Sequence, residues 1–298
     1  MKNKIQNVTV IGAGTMGTQI AIWASTFGYN VSVYDIDMKS FRRSLEYIQV
    51  AIKQAGRKTR LSWEDWKKEA EKIAFFVEIE KALQTADLVI EAVPEDLGLK
   101  QKIFTRLDML APPHAILATN SSSIPISKIE SANGRPEQCV NIHFYSLVHG
   151  QNMADIMGGS RTTAQTMETA KAWVRSIGCI PLTVKKEIQG FCFNRIWRAV
   201  KRETLHMWAE DIVDFRDIDR AWMIAYGTPW GPFGIMDRIG LDVVYDIEMV
   251  YYDESKDPKD HPPHALKKKV NKNELGYKTN KGFYTYPDPE YSDPEFLQ

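Results

Sequence analysis

The chain has 298 residues, enough for two domains, and its 44% apolar and 26% charged content is that of an ordinary globular protein. Lysine plus arginine equals aspartate plus glutamate, at 38 each, so overall charge gives no case for nucleic acid or an anionic membrane as partner. The opening MKNKIQN lacks the apolar core of a signal peptide, and no apolar run is long enough to span a membrane. Cys139, Cys179 and Cys192 lie far apart among apolar residues with no metal or redox spacing, so the expectation is reduced core thiols in a cytoplasmic protein.

In chain order, the first informative stretch is Val8–Gly17, VTVIGAGTMG. Val8, Thr9, Val10 and Ile11 have the β-branched character of a buried strand. Gly12, Gly14 and Gly17 then fit G-x-G-x-x-G, with Thr15 and Met16 inside the motif. A helix through Phe27, a strand at Val31–Tyr34 and Asp35 at its end complete a dinucleotide-binding βαβ unit. Gly12 permits the tight turn, Gly14 lets backbone approach a pyrophosphate, and Gly17 lets helix and strand pack closely. The Asp35 carboxylate suits ribose hydroxyls and repels a 2′-phosphate, which favours NAD over NADP. Arg42 and Arg43 downstream leave some use of NADP open.

Residues 38–76 are charged and amphipathic, and read as a helical pair inserted around a basic turn at Gly56–Arg60. Ser62 with Asp65 three residues on forms a capping-box signature. Its lysines and arginines suit a solvated face, or one wall of a substrate groove. Strand and helix then alternate: a buried strand at Ala86–Val93, a turn at Pro94–Glu95, a helix through Lys100–Leu110 and a strand at Ala115–Thr119. A strand at Cys139–Phe144, a short ambiguous segment at Ala154–Met157, a helix at Thr163–Ser176 and a last strand at Ile180–Val184 follow. This rhythm predicts a Rossmann-type, doubly wound, mainly parallel α/β sheet. From Lys185 onward the pattern is helical, over Phe191–Ala209, Asp217–Tyr226, Phe233–Ile239 and Asp242–Tyr252. The expected division is therefore residues 1–186, a nucleotide-binding domain, and 187–298, an all-helical domain. Glu254–Lys268 reads as an exposed loop carrying His261 and His264, and Gly276–Tyr286 as a tail that packs back. Trp208, Trp222, Trp230 and Tyr252 suit buried helix packing.

Several polar residues fall just after strands, where such sheets bind ligands. The turn NSSS, Asn120–Ser123, suits either turn chemistry or a site beside the cofactor. His143 sits in an apolar strand; it is either a satisfied core histidine or, with a carboxylate such as Asp155, a general base. Asn194 opens the long helix of the second domain and suits a carbonyl ligand or a structural hydrogen bond. No metal motif is present, so no metal is expected.

Together, VTVIGAGTMG, YDID, ADLVIEAVPEDLGLKQKIF, LAPPHAILATNSSSIPI, the IHF strand, GFCFNR, WGPFGIMDRIGLDV and GYKTNKGFYTY resemble the L-3-hydroxyacyl-CoA dehydrogenase family over essentially the whole chain, and most of all its bacterial 3-hydroxybutyryl-CoA members. The resemblance implies Ser122, His143, Asp155 and Asn194 as the catalytic set, His143 being the base toward the 3-hydroxyl. It implies NAD contacts at Gly12, Gly14, Thr15, Met16, Gly17, Asp35, Ala92, Glu95, Lys100 and Asn120, and a homodimer through the second domain. Three positions depart from the family pattern. Asp155 stands in place of a glutamate, which predicts backbone compensation or a bridging water for its histidine contact. HFYSLVHGQNMAD replaces an apolar, proline-containing loop, making Ser146, His149 and Gln151 candidate substrate contacts. Ala51 replaces a hydroxyl residue that helps bind CoA, although Lys58 remains. The alternatives are a dehydrogenase of a polar 3-hydroxy acid without CoA, and a non-catalytic NAD-binding protein.

Overall fold

The computed structural model describes residues 5–54 and 60–298, and it divides into two units after Cys192. Residues 56–59 of the basic turn, Lys58 among them, lie outside the described residues.

In the first unit, β1 (Asn7–Ile11), β2 (Asn30–Tyr34), β3 (Ala74–Phe76), β4 (Leu88–Glu91), β5 (Ile116–Thr119), β6 (Cys139–Phe144), β7 (Met153–Gly158) and β8 (Ile180–Val184) form one sheet, ordered β3-β2-β1-β4-β5-β6-β7-β8. Neighbours pair in parallel except β6 with β7, which run antiparallel. The helices are α1 (Thr15–Ser25), α2 (Met38–Gln54), α3 (Trp63–Ala70), α4 (Ile79–Leu83), α5 (Leu97–Leu110), α6 (Ile126–Glu130) and α7 (Ala164–Ser176). Alternate residues of the central strands feed two hydrophobic clusters. Val8, Val10, Leu88 and Ile90 join one with Trp23, Trp66 and Trp173. Ile11, Val89 and Leu117 join the other with Phe104 and Leu107. Burial on both faces explains the continuous apolar runs of these strands.

Two sequence readings of this unit need correction. Ala74–Phe76, expected in a helical pair, is a strand on the sheet edge paired with β2. Three residues carry too little periodicity to announce a strand. Cys192 is exposed within its unit, unlike buried Cys139 and Cys179. The Ser62–Asp65 capping box forms, with the Asp65 N–H donating to Ser62 Oγ at 3.1 Å. The ambiguous Ala154–Met157 segment lies within β7.

The second unit contains α8 (Phe193–Ala209), α9 (Phe215–Tyr226), α10 (Pro232–Ile239), α11 (Leu241–Ser255) and α12 (His264–Asn271). The last of these lies where a loop was expected; Pro263 just before it and Leu266 buried on its inner face set it as a helix. His261 is half-buried against Tyr252, with ring centroids 4.7 Å apart, whereas His264 is exposed. Trp208, Trp222, Trp230 and Tyr252 are half-buried. Among the described residues no helix is long and apolar enough to cross a membrane.

Two carboxylates that sequence reading missed hold this unit together. Asp219 accepts the Phe233 and Gly234 N–H groups at the start of α10, at 2.8 and 2.9 Å, and the Tyr284 hydroxyl at 3.0 Å. Asp237 accepts the Phe283 and Tyr284 N–H groups, both at 2.9 Å, and so fastens the aromatic tail. Burial pushes the Asp219 carboxyl up to about 6, against its hydrogen bonds, with the nearby Asp237 charge adding to the rise. The folded state therefore holds a proton the unfolded chain has lost. The stability this group contributes is full below about pH 4 and lost as pH rises through about 6. Asp219→Asn is expected to lower the melting temperature, because an amide cannot accept both N–H bonds, and to flatten this stretch of the stability–pH curve. Thermal denaturation of both proteins from pH 4 to 7 measures it; an unchanged slope contradicts the assignment.

Candidate active site

The glycine-rich turn joins β1 to α1, and its three glycines answer to different constraints. Gly12 has φ +101°, and a side chain there meets the Ala92 carbonyl oxygen at 2.8 Å. A Cβ on Gly17 meets the Gly12 carbonyl oxygen at 2.0 Å, so the helix passes the turn with no room to spare. A Cβ on Gly14 meets nothing within 4 Å. That open space faces the start of α1, whose first turn has no side-chain cap and no acidic residue. Its N–H groups are therefore available to an anion, as a pyrophosphate requires. Thr15 and Met16 line the same cleft, which has a volume of ≈ 730 Å³.

Asp35 stands at the carboxyl end of β2 on the cleft wall. Its Oδ2 accepts the Ala13 N–H at 2.7 Å and its Oδ1 the Asp37 N–H at 3.2 Å. These bonds fix the carboxylate and leave lone pairs for ribose hydroxyls. Ala92, Glu95, Lys100, Asn120 and Ser122 complete the far wall.

Beneath that wall lies an ion pair that the sequence reading missed. The Lys100 ammonium, 1% exposed, donates to Glu91 Oε1 at 2.8 Å and to the Val93 carbonyl at 3.2 Å. Glu91, at 0% exposed, also accepts the Val93 N–H at 2.7 Å and the Thr119 hydroxyl at 2.6 Å. A second carboxylate, Glu95, reaches the same ammonium at 3.3 Å. Burial favours protonation of Glu95, but the Lys100 charge and hydrogen bonds from Ser121 and Ser123 outweigh it and hold the carboxyl below its usual range. The one signal in the sequence was an acid inside the apolar run ADLVIEAV.

Glu95 also explains the serine turn. Its Oε1 accepts the Ser121 hydroxyl at 2.5 Å, and the Ser123 hydroxyl and N–H at 2.7 and 2.9 Å. The flanking serines are thus tied down, and Ser122 between them is exposed at the cleft. Asn120 Oδ1 accepts the Phe144 N–H at 2.8 Å, joining this turn to the end of β6 beside His143.

His143 and Asp155 are direct partners across the antiparallel β6–β7 pair. Directly opposed residues have Cβ atoms about 5 Å apart, so an aspartate reaches without a bridging water. The His143 Nδ1···Asp155 Oδ2 distance is 3.2 Å, and both side chains are buried. A carboxylate only accepts, so Nδ1 carries the proton and Nε2 keeps the free lone pair. Phe191, whose backbone is left-handed at φ +50°, stacks on the imidazole at 4.8 Å and 8°. Tyr145 adds a contact to Asp155 that sequence reading did not foresee: its hydroxyl donates to Oδ2 at 2.6 Å.

The polar loop after β6 turns much of itself inward. Leu147 and Val148 are buried in the first unit's core. The Val148 N–H donates to Gln19 Oε1 at 3.0 Å, and the Ser146 N–H to Gln151 Oε1 at 3.1 Å. Ser146 Oγ and His149 Nδ1 are hydrogen-bonded at 2.7 Å. Gln151 therefore shapes the loop, and half-buried His149 is its most outward polar ring. Ala51 is buried in the core rather than offered to a ligand. Asn194 is the second residue of α8, in the other unit. Among the described residues, no group of three or more potential metal ligands converges.

Residues 7–188 match the NAD-binding domain, and residues 190–286 the C-terminal domain, of 3-hydroxyacyl-CoA dehydrogenase. A probable 3-hydroxybutyryl-CoA dehydrogenase of Bacillus subtilis is 30% identical, over 96% of this chain and 99% of that one. A 5-formyl-3-hydroxy-2-methylpyridine 4-carboxylate 5-dehydrogenase of Mesorhizobium japonicum is also 30% identical, over 95% of this chain and 91% of that one. A solved diketoreductase, described for dual catalysis of dicarbonyl compounds, superposes with a TM-score of 0.81 at 33% identity, covering 95% of this chain and 99% of that one.

Removing one member of a buried ion pair leaves the other uncompensated, at a cost of about 3–5 kcal/mol. Lys100→Met is expected to destabilise the first unit by that order and to weaken NADH binding by releasing Glu95. Chemical denaturation and NADH fluorescence titration measure the two effects, and wild-type values in both contradict the role given to Lys100.

Proposed function

The chain belongs to the 3-hydroxyacyl-CoA dehydrogenase family, and we propose that it oxidises a short-chain L-3-hydroxyacyl-CoA, such as 3-hydroxybutyryl-CoA, to the 3-ketoacyl-CoA, or runs the reverse. The observation that carries this reading is the buried His143–Asp155 contact beside the serine turn of an NAD-type cleft. His143 Nε2 takes the proton of the 3-hydroxyl, and the imidazolium so formed faces the Asp155 carboxylate. Ser122, exposed at the cleft, donates to the reacting oxygen and helps fix its orientation. Asn194 is included as a further substrate ligand on the strength of the GFCFNR motif. NAD, when bound along Gly14, Asp35 and the Glu95–Lys100 wall, supplies the acceptor for the hydride leaving carbon 3.

A second reading is a polar 3-hydroxy acid without CoA. It is favoured by the polar loop Ser146–Asn152 and by relatives whose names denote a pyridine carboxylate dehydrogenase and a diketoreductase. A role in fatty acid metabolism, a cytoplasmic location and a homodimer through the second unit belong to the first reading. Exposed Ile196, Ile224, Val243, Ile247 and Val250 on the helices of that unit support the dimer.

Acetoacetyl-CoA reduction with NADH is the decisive assay. Turnover supports the acyl-CoA reading; no turnover, together with activity on a free 3-hydroxy acid, replaces it with the second. His143→Ala is expected to lower kcat by about 10²–10⁴-fold with NADH affinity retained. Activity that survives this substitution rejects His143 as the base.

A further inference from the structure

We propose that Tyr145 is a positioning residue that holds Asp155 against His143, and that it makes a short carboxylate sufficient where a glutamate was expected. The inference rests on His143 being the base. Tyr145 follows β6 two residues after His143, so both side chains leave the backbone on the same face. Asp155 enters from β7 opposite His143.

The two contacts to Asp155 Oδ2 are unequal. The Tyr145 hydroxyl lies at 2.6 Å and His143 Nδ1 at 3.2 Å. The tyrosine bond has the length of a charge-assisted one, whereas the histidine bond is at the long end of the ordinary range. The other carboxylate oxygen, Oδ1, accepts the Cys192 N–H at 3.4 Å, which is too long to orient it well. Asp155 is wholly buried, so these contacts from the protein set its orientation. Tyr145 is therefore the strongest single constraint on the carboxylate. Its ring also meets the imidazole edge-on, with centroids 4.7 Å apart, while Phe191 covers a face of the imidazole. Among the described residues, titratable Asp155 from β7 and Tyr145 from the segment after β6 meet His143, and Phe191, which stacks on it, is apolar.

Two consequences follow. The hydroxyl fixes the rotamer of Asp155 and thereby the tautomer and direction of His143. It also draws charge from the shared oxygen, so the imidazolium feels a tempered carboxylate. Removing the hydroxyl returns that charge to the histidine and raises its pKa, while leaving the carboxylate less well aimed.

Tyr145→Phe tests this, since it deletes one oxygen and keeps the ring packing. In ¹⁵N-histidine-labelled protein, with the His143 signals identified from the His143→Asn variant, the His143 titration is expected to rise by about half a pH unit or more. NADH affinity is expected to stay at the wild-type value. In acetoacetyl-CoA reduction, kcat is expected to fall about tenfold, from the loss of one hydrogen bond to a charged group, with KM for NADH unchanged. Combining Tyr145→Phe with Asp155→Glu is expected to recover kcat, because a longer carboxylate meets the imidazole without help. Asp155→Glu alone is expected to be worse than the pair. A His143 titration that stays put or falls overturns the proposal, as does a loss on Tyr145→Phe that Asp155→Glu fails to relieve. If wild type does not reduce acetoacetyl-CoA, the acyl-CoA reading fails, and the histidine titration still reads Tyr145. If Tyr145→Phe does not fold, 3-fluorotyrosine in its place serves. Its more acidic hydroxyl draws more charge from Asp155 and is expected to lower the His143 titration; no movement overturns the proposal.

Discussion

The antiparallel pairing of β6 with β7 sets the His143–Asp155 half of the candidate site. Every other neighbouring pair in the sheet is parallel, so β1–β6 run toward one end and β7 and β8 toward the other. A parallel neighbour beyond β6 requires a crossover, and its side chains arrive in a slanted register. The direct reversal through a short loop instead sets Asp155 opposite His143, residue against residue. Cross-strand spacing then decides the contact, because it is a distance an aspartate spans. Tyr145, Phe191 and the backbone of Cys192 close around that pair, so the imidazole is held in place and its partner carboxylate is buried.

The cofactor half depends on parallel strands and on what lies under their ends. The turn after β1, the end of β2, the segment after β4 and the turn after β5 all open on one side of the sheet. This is the consequence of right-handed crossovers in a doubly wound sheet. The buried Glu91–Lys100 pair ties the end of β4 to α5, and Thr119 ties it to β5. Glu95 hangs from the same lysine and organises Ser121 and Ser123. The chain Glu91–Lys100–Glu95–Ser121 therefore fixes where Ser122 stands. Asn120 passes that placement to the end of β6 through Phe144. Contacts thus link the ion pair to both halves of the first unit's candidate site.

The second unit uses buried carboxylates differently. Asp219 and Asp237 neutralise backbone N–H groups rather than a basic side chain. Asp219 satisfies N–H groups at the start of α10, and Asp237 satisfies N–H groups that an irregular aromatic tail cannot pair with itself. Tyr284 belongs to both arrangements, through its hydroxyl to Asp219 and its N–H to Asp237. This construction gives α10 and the tail a common anchor, at the cost of holding two charges away from water.

What the sequence by itself determined were features written in local pattern. G-x-G-x-x-G between a β-branched run and a helix, with Asp35 after the next strand, states a nucleotide cleft because turn geometry and period depend on neighbours in the chain. The family motifs carried His143, Ser122 and the likeness to acyl-CoA dehydrogenases. Shorter or less periodic elements escaped: β3 has three residues, and α12 lies in a stretch rich in proline and charge. Tertiary structure alone decided the pairings between distant residues. The Glu91–Lys100 pair, the serine turn on Glu95, the Tyr145 hydroxyl on Asp155 and the inward turn of Leu147 and Val148 were not legible, because each depends on which strands lie side by side and in what register. In one dimension the departure from glutamate at Asp155 called for backbone compensation or a bridging water; three dimensions supply a directly opposed strand and a tyrosine hydroxyl on the carboxylate.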